Sequence, residues 1–264
     1  MIMQKYLVGR LILLGALVLS LRNAALAHTR HNPTLPWTSC GEGVGRVEEI
    51  TIPTRVLEKE IDARIYLPPC YDSAGPFPVL YLLHGLDNTS EQWVRIGAPA
   101  VADELIAQRE IAPLIIVMPQ DNMENHFDSA VVDEILPFID GNFHTIPDRA
   151  ARAIGGLSYG GAWAAHVGLQ RADLFSRIGA HSPGFFYGDA GPLTEWARHL
   201  PPGTFISIDI GRDDTMVSCC AMLLDDVLST ANVEHSFNMY PGLHEEAYWS
   251  EHVAEYLKFY TQGW

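Results

Sequence analysis

The sequence predicts an α/β protein, with a mostly parallel central sheet, helices on both faces and an antiparallel hairpin at its N-terminal side. Three observations carry this. A continuous apolar run at Val79 to Leu83 and further short buried-type stretches at Leu114 to Met118 and Arg152 to Leu157 have the pattern of strands buried on both faces. Stretches of helical spacing about 10 to 15 residues long separate the strands, and that alternation calls for crossover connections within a parallel sheet. Ahead of them, Arg46 to Val56 and Ile61 to Leu67 alternate or are β-branched on either side of a charged Glu58, Lys59, Glu60, which reads as a hairpin.

Taken in order, the first 27 residues stand apart. Lys5 and Arg10 precede an apolar run from Leu11 to Leu21, and Ala25, Leu26 and Ala27 offer a small-residue cleavage site, so 1–27 reads as a secretory signal peptide cut after Ala27. The run is about half of the ~20 residues that span a bilayer, and Arg22 ends it. Residues 28 to 43 are polar and rich in proline and glycine, an arm. After the hairpin and the first buried strand, residues 98 to 109 have helical spacing, and a second helix covers Ser129 to Ile139. A third helix runs from Tyr159 to Gln170, after the third buried strand. Phe175 to Ala180 and Phe205 to Ile210 continue the strand series, followed by a helix from Met216 to Thr230, a strand from Glu234 to Tyr240 and a closing helix from Ala247 to Thr261. No repeat, low-complexity tract or linker interrupts this, so 28–264 is expected to be a single domain.

The 264 residues carry a formal charge of −15, and removal of 1–27, which holds Lys5, Arg10 and Arg22 and no acid, takes it to −18. A surface that acidic repels phosphate backbones and anionic lipid, which argues against nucleic acid and stable membrane partners. Export would make the four cysteines candidates for disulfides. Cys40 with Cys70 would tie the arm to the end of the hairpin; the adjacent Cys219 and Cys220 are left open, because a bridge between neighbours needs unusual geometry.

The chain is organised around Arg152 to Gly161, RAIGGLSYGG. Ser158 stands between Gly156 and Gly160 in a G-x-S-x-G pattern, with an apolar strand before it and a helix-forming run after it. Such a turn lifts the serine clear of the sheet and admits only hydrogen side chains beside it. In a parallel sheet the loops leaving the carboxyl ends of the strands face one crevice. A serine hydroxyl needs a base there, and His244 lies in the loop between the last strand and the last helix, in PGLHEE. The position four after His244 is Tyr248, so a zinc-binding HExxH is absent and no metal or cofactor is indicated. The base needs an acid, and Asp213 and Asp214 follow the strand ending at Ile210; Asp209, on the strand itself, is less able to reach. Either of the pair would produce the chain order Ser, Asp, His of α/β-hydrolases. An oxyanion site would take the backbone N–H of Tyr159 and one from the HGLDN turn, for which Leu86 is the candidate.

LYLLHGLDNTSEQWV, TIPDRAARAIGGLSYGG and PGLHEEAYWSEHVAEYL together resemble the esterase D, or putative esterase, family of α/β-hydrolases over roughly residues 45 to 260. That family includes feruloyl and acetyl-xylan esterases, S-formylglutathione hydrolases and mycolyltransferases. In its pattern the acid lies three residues after the glycine that follows its strand, which from Gly211 selects Asp214 over Asp213, with Asp213 left to cap the next helix. The residue after the nucleophile is often methionine there and is Tyr159 here. The resemblance also implies a cleft wall: the loop from Gln120 to Phe127, including His126 and Phe127; Trp163; and the segment from Ser182 to Tyr187. With the leader pointing to a secreted or periplasmic location, the reading is a serine esterase working through an acyl-enzyme on a small or polysaccharide ester. An acyltransferase with a sugar hydroxyl as acceptor shares the same triad. A binding protein on the same fold and a peptidase or thioesterase rank lower. Only 55 residues separate Ser158 from Asp214, too few for a large lid domain.

Overall fold

The computed structural model describes residues 40, 43–121, 126–184, 188 and 190–264; the expected leader, 1–27, lies outside them. Eight strands, β1 (Arg46–Ile52), β2 (Ile61–Leu67), β3 (Val79–Leu83), β4 (Ile115–Pro119), β5 (Arg152–Leu157), β6 (Arg177–His181), β7 (Phe205–Gly211) and β8 (His235–Tyr240), form one sheet in the order β1-β2-β4-β3-β5-β6-β7-β8. The hairpin and the β2/β4 pair are antiparallel and every other pair is parallel. The expected fold class is therefore the observed one. β3, β4, β5 and β6 are buried along their whole length, as continuous apolar strands covered on both faces should be.

Order along the sheet places the site. From β3 the chain crosses to β4 on one side and returns as β5 on the other, so the loops leaving β3 and β5 part at a switch point. Leu83 at the end of β3 pairs with Gly156 on β5, which makes the HGLDN turn and the Ser158 turn neighbours. β7 and β8, which lead to Asp214 and His244, pair in parallel from Ile206 with His235 to Gly211 with Tyr240.

The helices are α1 (Gln92–Arg95), α2 (Ala98–Ala107), α3 (Phe127–Ala130), α4 (Leu136–Asn142), α5 (Tyr159–Gln170), α6 (Ala190–Ala197), α7 (Ser218–Thr230) and α8 (Glu246–Thr261). Adjacent residues of β6 show the two helical layers: Gly168 of α5 packs on Ile178, whereas Gly179 faces Tyr260 of α8. Where a single helix was expected over Ser129 to Ile139, α3 and α4 are joined by a π-helical turn, Val131–Ile135. Pro137, in the first turn of α4, has no N–H to give to residue 133, which breaks the i to i−4 ladder there. Cys40 and Cys70 form the expected disulfide, Cα atoms 4.8 Å apart, while Cys219 and Cys220 are free thiols with sulfurs 3.7 Å apart. No helix among the described residues is long and apolar enough to cross a membrane.

Beneath the site lies a buried polar cluster. His181, at the end of β6, donates from Nδ1 to Asp209 Oδ2 at 2.5 Å and accepts at Nε2 from the Tyr260 hydroxyl at 2.7 Å. Tyr248 and Tyr256 donate to Asp209 Oδ1 at 2.8 and 2.9 Å, and the Tyr256 ring stacks on the imidazole at 3.5 Å. Burial first, and the carboxylate second, hold the phenols of Tyr248 and Tyr256 well above the usual tyrosine range, so they stay donors. Tyr260 reaches His181 only because Gly155 and Gly179 lack side chains: a Cβ on either would stand 1.6 or 1.9 Å from its hydroxyl. Gly155→Ala should therefore cost about 2–4 kcal/mol by overpacking and loss of the buried hydrogen bond. The check is the urea midpoint; an unchanged midpoint would mean that Tyr260 moves aside freely.

Candidate active site

Ser158 opens α5 with φ 54° and ψ −119°, in a region that residues with a side chain rarely adopt. Three hydrogen bonds hold it there: its N–H to His181 O (2.9 Å), and its carbonyl receiving Gly184 N–H (2.8 Å) and Ala162 N–H (3.1 Å). The flanking glycines are needed for approach. A Cβ at Gly156 would lie 2.2 Å from Gly160 O, and one at Gly160 2.2 Å from Leu83 O. Strand, turn and helix thus meet with no room to spare, and the serine projects from the carboxyl edge of the sheet.

His244, in the loop from β8 to α8, accepts the Ser158 hydroxyl at Nε2 across 2.8 Å and donates from Nδ1 to Asp214 Oδ2 across 2.7 Å. The carboxylate can only accept, so it selects the tautomer that leaves Nε2 free to take a proton. Trp249 packs edge-on against the imidazole at 5.0 Å and is itself fixed by Nε1–H to Ser182 Oγ at 3.2 Å. Asp214 is buried whereas Asp213 is exposed. Asp214 Oδ1 accepts the N–H groups of Met216 (3.0 Å) and Val217 (3.3 Å) just ahead of α7. The capping expected of Asp213 is not seen, since α7 has Val217 at its N-cap and no side-chain cap; Asp214 instead gives one oxygen to the turn that leads into α7 and one to the histidine. Asp209 pairs with His181 and not with His244.

Leu86 and Tyr159 line one cleft of about 270 Å³, together with His84, Asn88, Gln120 and Asp121. The Leu86 side chain is half exposed, consistent with a residue of which only the backbone is needed. His84, which follows the last residue of β3, sets the turn. Its Nδ1–H donates to Gly85 O at 2.8 Å and its Nε2 accepts Asp121 N–H at 2.9 Å. Burial pushes this imidazole below the usual histidine range, so it remains neutral with both nitrogens used.

The expected cleft wall divides. Trp163 is half buried, edge-on to Tyr159 at 6.2 Å and to Phe127 at 5.7 Å. Phe127 is a correction: at 0% exposure it supports Trp163 from the core and has no face for a ligand. It opens α3, whose inward side faces α5, and an aromatic there is worth more buried than solvated. His126 is exposed at the head of α3, with a left-handed φ of 71°. Residues 122–125 of that loop and 185–187 of the other expected segment lie outside the described residues. No group of three or more histidine, cysteine or acidic side chains that could hold a metal occurs among the described residues.

Comparison with known proteins bears on this arrangement. The family model described as "Putative esterase" matches residues 54–260. The chain belongs to that esterase family. The endo-1,4-β-xylanase/feruloyl esterase of Xylanibacter ruminicola is 31% identical over 160 residues, covering 54% of this chain and 22% of that protein. An esterase of Mycobacterium tuberculosis, Rv1288, is 29% identical over 149 residues, 51% of this chain and 32% of that one. This esterase-family chain therefore spans less than a third of either curated relative. Among solved structures, a ferulic acid esterase superposes with a TM-score of 0.74 over 84% of this chain and 98% of its own, at 24% identity, a likeness of fold.

Proposed function

We propose that this chain is an exported serine carboxylic-ester hydrolase, residues 28–264 forming its one domain, acting on feruloyl or acetyl esters of carbohydrate. One observation carries the reading: a serine held in a strained turn is hydrogen-bonded to an imidazole whose far nitrogen is held by a buried carboxylate. In this reading Ser158 Oγ attacks the ester carbonyl as His244 Nε2 takes its proton, and Asp214 stabilises the resulting imidazolium. Leu86 N–H and Tyr159 N–H stabilise the oxyanion. His244 returns the proton to the leaving alcohol, and the acyl-enzyme is then opened by water in the same two steps. The family supports the reaction class. Support for the acyl group comes from the names of the relatives and from the edge-on pair Tyr159 and Trp163, an aromatic side suited to an aryl acyl group.

The test is a substrate panel on the purified protein: p-nitrophenyl acetate and octanoate, methyl ferulate and acetylated xylan, together with labelling by a fluorophosphonate. Hydrolysis of the ferulate and acetate in preference to the octanoate, with Ser158 carrying the phosphonate, is expected. Absence of both turnover and label would refute the assignment. A transfer product exceeding hydrolysis when a sugar acceptor is added would instead make the enzyme an acyltransferase.

A further inference from the structure

The turn that carries Leu86 is gripped from more than one direction. The Gly85 carbonyl receives His84 Nδ1–H and Asn88 N–H (3.2 Å), which orients the peptide whose N–H belongs to Leu86. The N–H of Gly85 itself donates to Gln92 Oε1 at 2.8 Å. Gln92 is 1% exposed, and the other half of its amide, Nε2, donates to Glu246 Oε1 at 3.1 Å. Glu246 is the first residue of α8, two residues after His244. Arg95 closes a ring: its guanidinium binds both oxygens of Glu246, Nε at 3.1 Å from Oε2, and reaches Asn88 Oδ1 at 2.8 Å in the same turn. Arg95 also draws the Glu246 carboxyl below its ordinary range, so it accepts as a carboxylate at neutral pH.

A buried glutamine that merely satisfied itself would need partners of any kind. Gln92 instead takes one partner 7 residues before it, at Gly85, and one 154 residues after it, at Glu246, and each of those two segments holds one part of the proposed reaction. We infer that Gln92 is a positioning residue that couples the turn carrying Leu86 to the loop carrying His244, through Gly85 N–H on one side and Glu246 on the other. This rests on the ester-hydrolase reading above. As the carbonyl is attacked, negative charge develops beside Leu86 N–H while positive charge develops on His244. Both must be in place before the step, because donors that have to move into position lose most of their effect. The tether should therefore act on kcat and leave KM nearly alone, since the ground-state ester makes little use of the donors.

The polarity of the amide supplies the test. Gln92→Met removes both hydrogen bonds at similar volume. Gln92→Glu keeps an acceptor for Gly85 N–H but sets a second carboxylate against Glu246, and the pair Gln92→Glu, Glu246→Gln restores one amide and one carboxylate with donor and acceptor exchanged. Each single Gln92 variant should lose about tenfold in kcat at pH 8, with KM within about twofold, the size of one lost hydrogen bond felt in the transition state. The exchanged pair should return to within about threefold of the parent, and amide exchange at Gly85 should quicken in Gln92→Met and slow again in the pair. Parental kcat in Gln92→Met, or no recovery in the pair relative to Gln92→Glu, would overturn the tether. If Gln92→Met does not fold, the pair against Gln92→Glu decides alone. A parent enzyme inactive on every ester sinks the hydrolase reading instead, and Gly85 exchange still judges the tether.

Discussion

Ser158→Ala is expected to lower kcat/KM for methyl ferulate by about five orders of magnitude while the urea midpoint moves little. The size follows from the part the hydroxyl plays in the proposed reaction: without it there is no acyl-enzyme, and what survives is whatever the oxyanion donors and binding lend to attack by water. His244→Ala should lose nearly as much, and the double variant little more than either, because the two groups act as one unit. Initial rates of ferulate release measure all three. Full additivity would mean that the 2.8 Å contact between Ser158 and His244 plays no part in the step. Stability offers an independent check on the turn. Ser158→Gly should be more stable than Ser158→Ala by about 1 kcal/mol, since only the former relieves a φ of 54°.

The second large effect is at Asp214, where the two oxygens do different things. Asp214→Asn keeps an oxygen for Met216 and Val217 N–H but turns an amide toward His244 Nδ1. The imidazole must then offer a lone pair at Nδ1, which places its proton on Nε2, where Ser158 needs an acceptor. A fall of about 10⁴ in kcat is expected, with the unfolding midpoint near that of the parent. Asp214→Ala should lose similar activity and, in addition, about 1–2 kcal/mol of stability, because two N–H groups in the turn before α7 lose their acceptor. Equal stability of the two variants would show that the contacts at α7 carry no weight.

Much of the arrangement was legible residue by residue, for local reasons. Gly156, Ser158 and Gly160 announce a strand-to-helix turn because backbone atoms of Gly160 and Leu83 approach within 2.2 Å of where side chains would be, a constraint that leaves its mark within five positions. His244 could be singled out from eleven histidines because it follows a strand, and in a parallel sheet strand ends converge on one edge. The choice of Asp214 over Asp213 needed the family pattern. Nothing in the pair itself says which carboxyl turns inward, since that depends on how Gly211 to Val217 folds back over Gly242.

Phe127 marks where such reading fails, and the partners of Asp209, rightly set apart from His244, lie beyond its reach. An aromatic in a cleft loop has the same local signature whether it faces a ligand or the core, and the packing of α3 against α5 decided for the core. Asp209 sits on a strand, where alternation alone would make it a curiosity. Only α8, laid across β6 and β7, supplies Tyr248, Tyr256 and Tyr260 to the cluster of His181 and Asp209.

By itself, then, the amino-acid order determined the alternation of strands and helices, the strained serine turn and the set of loops from which the site is drawn. These follow from periodicity and backbone sterics, which act over a few residues. The tertiary structure decided which acid meets the histidine, which aromatics are core, and how Gln92 finds Glu246. Those are pairings between side chains remote along the chain, and their free energy exists only once the sheet has brought the partners within hydrogen-bonding distance.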